Sequence, residues 1–225
     1  MRKKILSLAL LSLAACSSGV SAATINYGSA FNIVDQNSVD TSFGTIEYAY
    51  NFSLEETTTD VNGVTFTGIH LDGINSSPDG NISYITGGST SDASATIPGG
   101  TNAGLATLLG GGTFTGGNAS AEITLNNLTI GNKYQVQLFS FQTNSGEQFS
   151  VDGNLLDPQS GTLGQTIIGT FTADAETQTI NTSGSQQFAV GNGLVLVRVP
   201  EQSSFAVVAG LLTVSIVVFT RRRRS

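Results

Sequence analysis

Tryptophan is absent from this 225-residue chain, and cysteine and histidine occur once each. A single histidine, His70, excludes a metal site built from several imidazoles. A single cysteine, Cys16, excludes an intramolecular disulfide and leaves everything after it without thiol chemistry. Basic residues are scarce too: there are nine, and Arg2, Lys3, Lys4 and Arg221 to Arg224 sit at the two extremes. The long middle keeps only Lys133 and Arg198, against fifteen of the sixteen acids. Nucleic-acid binding needs clustered cations to neutralise phosphates, so that class of partner is excluded. Acidity of this kind favours solubility and contact with a matrix through bridging cations.

What the middle has is Gly, Ser, Thr and Asn in abundance, with short apolar runs between turn residues. That pattern predicts an all-β domain over residues 23–198, long enough to bury a core without staples. Thr45 to Phe52 alternates, with Ile46, Tyr48, Tyr50 and Phe52 on one face. Asn62-Gly63 predicts a hairpin turn into a strand that runs to Ile69. Asp72 to Gly80 reads as loop, Ile82 to Ile85 as a strand, and Gly87 to Gly100 as a long surface loop. Asn102 to Leu109 is the one helical candidate, ended by Gly110-Gly111-Gly112 and expected to cover an end of the fold. Further strands are expected over Ala119 to Leu125, Tyr134 to Phe141, Thr166 to Phe171, Gln178 to Thr182, Phe188 to Val190 and Leu194 to Val199. Phe149 to Asn154 reads as a hairpin. Both faces of the Tyr134 strand turn apolar toward its end, as in a strand entering a sandwich core. The expected fold is an antiparallel β-sandwich or jelly roll.

The two ends carry a different message. Met1-Arg2-Lys3-Lys4 is a basic segment, and Ile5 to Ala15 is apolar but too short to span a membrane. Val20-Ser21-Ala22 then offers small residues for cleavage before Ala23, so residues 1–22 are predicted to be a signal peptide. Leu13-Ala14-Ala15-Cys16 competes, since it looks like a lipoprotein box in which Cys16 would be acylated. At the other end, Val199-Pro200-Glu201-Gln202 precedes an uncharged apolar run from Phe205 to Phe219, followed by Arg221, Arg222, Arg223 and Arg224. As a helix the run is about 22 Å long at ~1.5 Å per residue. A bilayer core is about 30 Å thick, so a transmembrane helix over about residues 204–220 needs its flanks at the interface and the arginines snorkelling. Positive flanks stay cytoplasmic, which predicts the C-terminus inside and the body outside.

This tail, residues 199–225, resembles the PEP-CTERM sorting signal of bacterial envelope proteins: a Val-Pro-Glu-Pro-like motif, a hydrophobic helix and a terminal arginine cluster. Val199, Pro200 and Glu201 match, and Gln202 stands where the family has Pro. The resemblance implies handling by an exosortase-type membrane enzyme and an association with exopolysaccharide. Leu128-Thr-Ile-Gly-Asn-Lys-Tyr-Gln-Val-Gln-Leu138, together with Gly169 to Ala173 and the Leu194 strand, is similar to galactose-binding-like sandwiches. That fold carries many functions, so the resemblance implies a shape and no ligand.

Catalytic signals are weak. No Gly-x-Ser-x-Gly elbow accompanies His70, which is expected to end a strand and be partly exposed. Glu55 and Glu56 are adjacent, and in an extended segment adjacent residues point opposite ways, a poor acid/base pair. Asp72, Asn75 and Asp79 offer hard oxygens for calcium without EF-hand spacing, so turn chemistry is the expected role and no metal or cofactor is assigned. A sugar site would draw on Tyr27, Tyr48, Tyr50, Tyr84 or Tyr134, of which Tyr48, Tyr50 and Tyr134 read as core. The sequence therefore predicts no enzyme. It predicts an exported cell-envelope protein anchored in the membrane, with a structural or adhesive body that is in one outcome released to the surface after processing. Its expected partners are the membrane, a processing enzyme and polysaccharide. A surface carbohydrate-binding module is the alternative, and a polysaccharide-active enzyme ranks last.

Overall fold

A computed structural model describes residues 23–53, 57–70, 74–86, 90–92, 100–116, 120–141, 149–157, 163–184 and 188–200. The first strands are β1 (Asn26–Tyr27), β2 (Phe31–Asn32), β3 (Thr45–Phe52), β4 (Thr58–Val61), β5 (Val64–Ile69), β6 (Ile74–Ser76), β7 (Ile82–Thr86) and β8 (Thr90–Asp92). Helix α1 (Ala103–Gly110) follows, then β9 (Thr113–Gly116), β10 (Ser120–Leu125), β11 (Lys133–Ser140), β12 (Phe149–Val151) and β13 (Asn154–Leu156). The chain closes with β14 (Gln165–Thr172), β15 (Gln178–Gly184), β16 (Phe188–Gly191) and β17 (Gly193–Val199).

The chain is mostly β. The larger sheet runs β1-β14-β11-β17-β3-β5-β4, with β2 also on β14. A smaller sheet runs β13-β12-β15-β10-β7-β6, and β16-β9-β8 form a third. The turn signals work as the residues suggest. Asn62 and Gly63 take φ of 50° and 79° between β4 and β5, and Asp152 and Gly153 take 46° and 80° between β12 and β13. Positive φ at both central positions is what a two-residue turn needs to match strand twist. One pairing departs from the antiparallel expectation: β3 and β5 are parallel.

The two main sheets share one core. Tyr48, Tyr50 and Phe52 of β3 and Val136 and Leu138 of β11 join Ile82, Ile123, Leu125, Val151 and Ile180 of the smaller sheet. A second core lies behind the larger sheet, where Ala49, Phe66, Phe139, Val195 and Val197 meet Leu105, Leu108 and Leu109 of α1 and Ile33 and Val39 of the N-terminal segment. This is why both faces of β11 and β17 are apolar: each strand is covered front and back. The helix thus covers a sheet face and not an end of the fold. Asn102 caps it, accepting from Leu105 N at 3.2 Å, a contact of about 1 kcal/mol.

Other expectations need correction. Ile46 does not share the face of Tyr48. Leu196 pairs with Tyr48 and Val197 with Ile46, so Glu47 is bulged out and the alternation slips by one residue. Ile46 ends up exposed. Strands β6 and β8 lie where loop was expected, held by backbone pairing with β7 and β9. Strands of two or three residues such as β1 and β2 carry no period to detect.

Candidate functional site

The register brings a defined set of residues to one pole of the molecule. Lys133 at the start of β11 faces Val199 at the end of β17 and Thr172 at the end of β14. Arg198 faces Thr45, so β3 begins at the same pole. Asn26 pairs with Thr170, which sends the preceding chain the same way, and the Ala23 N–H donates to Asp174 Oδ1 at 3.1 Å. Ala23 and Pro200 therefore leave the body at one pole. Gly44 is required there, because a Cβ on it would meet the Arg198 carbonyl and the Pro200 ring. Val199 is half-buried in the ladder, and Pro200 is exposed.

The same pole carries an Asp79 network. Asp79 accepts from Tyr50 Oη at 2.6 Å, from Ser77 Oγ at 2.6 Å and from Asn81 Nδ2 at 2.9 Å. Asn81 Oδ1 accepts from Asn127 Nδ2 at 2.9 Å, which stitches the turn before β7 to the turn after β10. Burial pushes the Asp79 carboxyl up, but the hydrogen bonds from Ser77 and Tyr50 outweigh it and hold the group below its usual range. Burial, then the bond to Asp79, push the Tyr50 phenol up to about 12. Burial alone takes Tyr84 to about 12.

A cleft of about 350 Å³ opens between the β1 edge and the smaller sheet. Tyr27, Asp152, Asn154, Gln178 and Asn181 line it. Tyr27 Oη donates to Asp152 Oδ2 at 3.0 Å, and Asp152 Oδ1 accepts from Asn181 N at 2.9 Å and Nδ2 at 3.1 Å. Burial, reinforced by the Asp152 charge, raises the Tyr27 phenol above its ordinary value. A carboxylate, amides and one phenol around such a space offer hydrogen bonds to a polyol. A second pocket of about 480 Å³ lies between the 34–37 segment and the start of α1.

Of the residues the sequence singled out, Val199 and Pro200 are at the tail pole, while Cys16, Glu201 and Arg221 to Arg224 lie outside the described residues. Glu55, Glu56 and Asp72 also lie outside them. His70 directly follows β5 and is exposed. Asp79 is spent on its own turn. Tyr48, Tyr50, Tyr84 and Tyr134 are buried and Tyr27 is half-buried, so none presents an open ring face for a sugar. The cleft around Asp152 was not found from sequence; its only signal there is the Asp152-Gly153 turn. Among the described residues no group of three His, Cys, Asp or Glu stands close enough to hold a metal ion. Among them, too, no helix is long and apolar enough to cross a membrane; the run from Phe205 to Phe219 lies outside them. No protein-family model matches the chain, and no curated protein matches it.

Proposed function

We propose that the chain is an exported cell-envelope protein, held in the membrane by a PEP-CTERM-type tail and handled by an exosortase-type enzyme, with a structural or adhesive body outside the cell. The observation that carries this reading is the convergence of Ala23 and Pro200 at one pole. With both ends at one pole, the body stands on the same surface in the same way whether it is tethered through a C-terminal helix or an acylated Cys16. Pro200 is the first residue beyond the β17 ladder, so processing after it would leave the larger sheet intact. The shared core of the two main sheets supports a galactose-binding-like, jelly-roll type of sandwich. A reporter fused after Arg224 should be active only in the cytoplasm. Activity outside, or release of the full chain as a soluble cytosolic protein, refutes the reading.

The cleft favours a second reading, a carbohydrate-binding module. Polysaccharide pull-down by the purified protein should then fall at least tenfold in Asp152→Asn and Asn181→Ala variants that keep their melting temperature. Binding to no polysaccharide ends it.

A further inference from the structure

We propose that the pole where the tail leaves is a lipid-contacting face, seated on the membrane surface through Phe43 and Ile130. The inference rests on the anchored reading above and adds how the body meets the bilayer. Phe43 is 54% exposed in the turn before β3, and Ile130 is 60% exposed in the turn before β11. In the larger sheet β17 lies between these two strands. The two apolar side chains therefore flank the point where Pro200 continues into the tail.

Tether length decides how far the pole can stand from lipid. Four residues, 201–204, separate Pro200 from the apolar run at Phe205. Fully extended, the five steps reach about 17 Å at ~3.4 Å each. The headgroup layer is about 6 Å deep per leaflet, from a core of ~30 Å and a total of ~40–45 Å. The pole is thus confined within roughly 10 Å of the headgroups. An aromatic and a branched aliphatic side chain held there partition into the interface.

Apolar exposure sets the tilt, and the charges agree with it. The body's two cations, Lys133 and Arg198, are on the larger sheet at this pole, with Glu47 paired to Arg198 at 2.9 Å. Of the pole's carboxylates, Asp79, Asp174 and Glu176 are exposed on the turns that lead into the smaller sheet, while Asp40, half-exposed and bonded to Ser42 and Gln135, and Glu47 lie on the larger-sheet side. The corner bearing Phe43 and Ile130 faces the lipid because its exposed side chains are apolar, and the corner with Asp79, Asp174 and Glu176 tips away. The contact is apolar in the main, because Arg198 is already paired and Lys133 alone adds little.

The test uses the full-length chain carrying Cys16→Ser, reconstituted in vesicles of phosphatidylethanolamine and phosphatidylglycerol. Single cysteines replace Phe43, Ile130, Val34, Leu155 or Glu176, each labelled with an environment-sensitive fluorophore. Val34 is 73% exposed beside Gly164, at the opposite pole, and Leu155 is 51% exposed in the edge strand β13, level with Ser183 toward the far end of β15. Lipid-borne nitroxides should quench more than half the emission at 43 and 130, leave 34, 155 and 176 unquenched, and do so equally at high salt. Flotation of the same samples reports the anchor separately. A chain that floats without quenching at 43 and 130, or with equal quenching at every position, overturns the seat and leaves the anchor standing. A chain that does not float overturns the anchored reading itself.

Discussion

The two cores of this molecule are built on different terms. The core between the sheets is apolar and aromatic, and its tyrosines are ordered by rings as much as by hydroxyls: Tyr48 and Tyr50 lie 5.4 Å apart, and Tyr134 stacks on Phe171 at 5.6 Å. The core behind the larger sheet is mainly aliphatic, with Phe66, Phe139 and Phe141 but no tyrosine, and is threaded with buried amides. Gln137 is fully buried, with Nε2 donating to Ser38 O at 2.7 Å and Oε1 accepting from Asp40 N at 2.9 Å. Asn192 donates to Leu109 O at 2.9 Å and accepts from Phe141 N. Between facing sheets, register is set by ladders and pleat, so apolar packing suffices. A helix and a loop segment laid on a sheet have no ladder, and the amides supply the fixed points that packing alone lacks.

The comparison breaks most sharply at Phe139, which meets Phe66 edge-on at 5.9 Å behind the sheet. If the outer core is a full structural layer, Phe139→Ala costs about 3–5 kcal/mol, as does a deletion between the sheets such as Leu138→Ala at about 2–5 kcal/mol. Chemical denaturation of both variants reads this directly. A loss below about 1 kcal/mol for Phe139→Ala would make the outer layer a loose veneer. Asn192→Leu comes next. It keeps the volume but leaves the Phe141 N–H and the Leu109 carbonyl without their partner, at a cost of about 2–4 kcal/mol. Hydrogen exchange in α1 should rise more than in β14, because the lost ties hold the helix.

That division explains what could be read in the chain and what could not. Asn62-Gly63 and the alternating Tyr134 strand announce themselves, because a turn and a two-residue period are local. The amide ties do not, because Asn192 touches Leu109 across 83 positions of sequence. The apolar Phe139 and Phe141 were legible as a two-faced pattern, but what covered the second face was not. The bulge at Glu47 was hidden for a similar reason: it depends on the register of β17, not on β3 itself. Of the candidate sites, the tail motif was legible as a string, while the exit of Ala23 and Pro200 at one pole exists only once β1, β14, β11 and β17 are paired.

Smaller effects sharpen the aromatic side of the contrast through pH. The phenols of Tyr50 and Tyr84 are raised from 10.0 to about 12 in the folded state. A raised value means the folded form keeps its proton where the unfolded form has lost it. Their contribution is therefore whole below pH ~10 and is lost as pH climbs through about 12. Melting temperature should fall across that window, and Tyr84→Phe should flatten the fall by on the order of 1 kcal/mol. Asp79 runs the other way: its carboxyl is lowered, so its share is present above the ordinary carboxylate value and disappears as the solution is acidified past the folded value. A Tyr50→Phe variant removes one donor to Asp79 and should shift that acid limb upward in pH.

The smallest effect belongs to an ion pair at the tail pole, Arg198 Nε to Glu47 Oε1 at 2.9 Å, with side chains 46% and 32% exposed. Glu47 is the bulged residue, so the pair looks like a clasp on the bulge. Exposure argues against a large contribution: an exposed pair loses in side-chain entropy most of what it gains in Coulomb energy, and is worth about 0.2–1 kcal/mol. A Glu47→Ala, Arg198→Ala double-mutant cycle should return a coupling in that range, shrinking at high salt. A coupling above about 2 kcal/mol, insensitive to salt, would mean the pair fixes the register of β17 on β3, and the pole would owe its geometry to charge and not to the ladder.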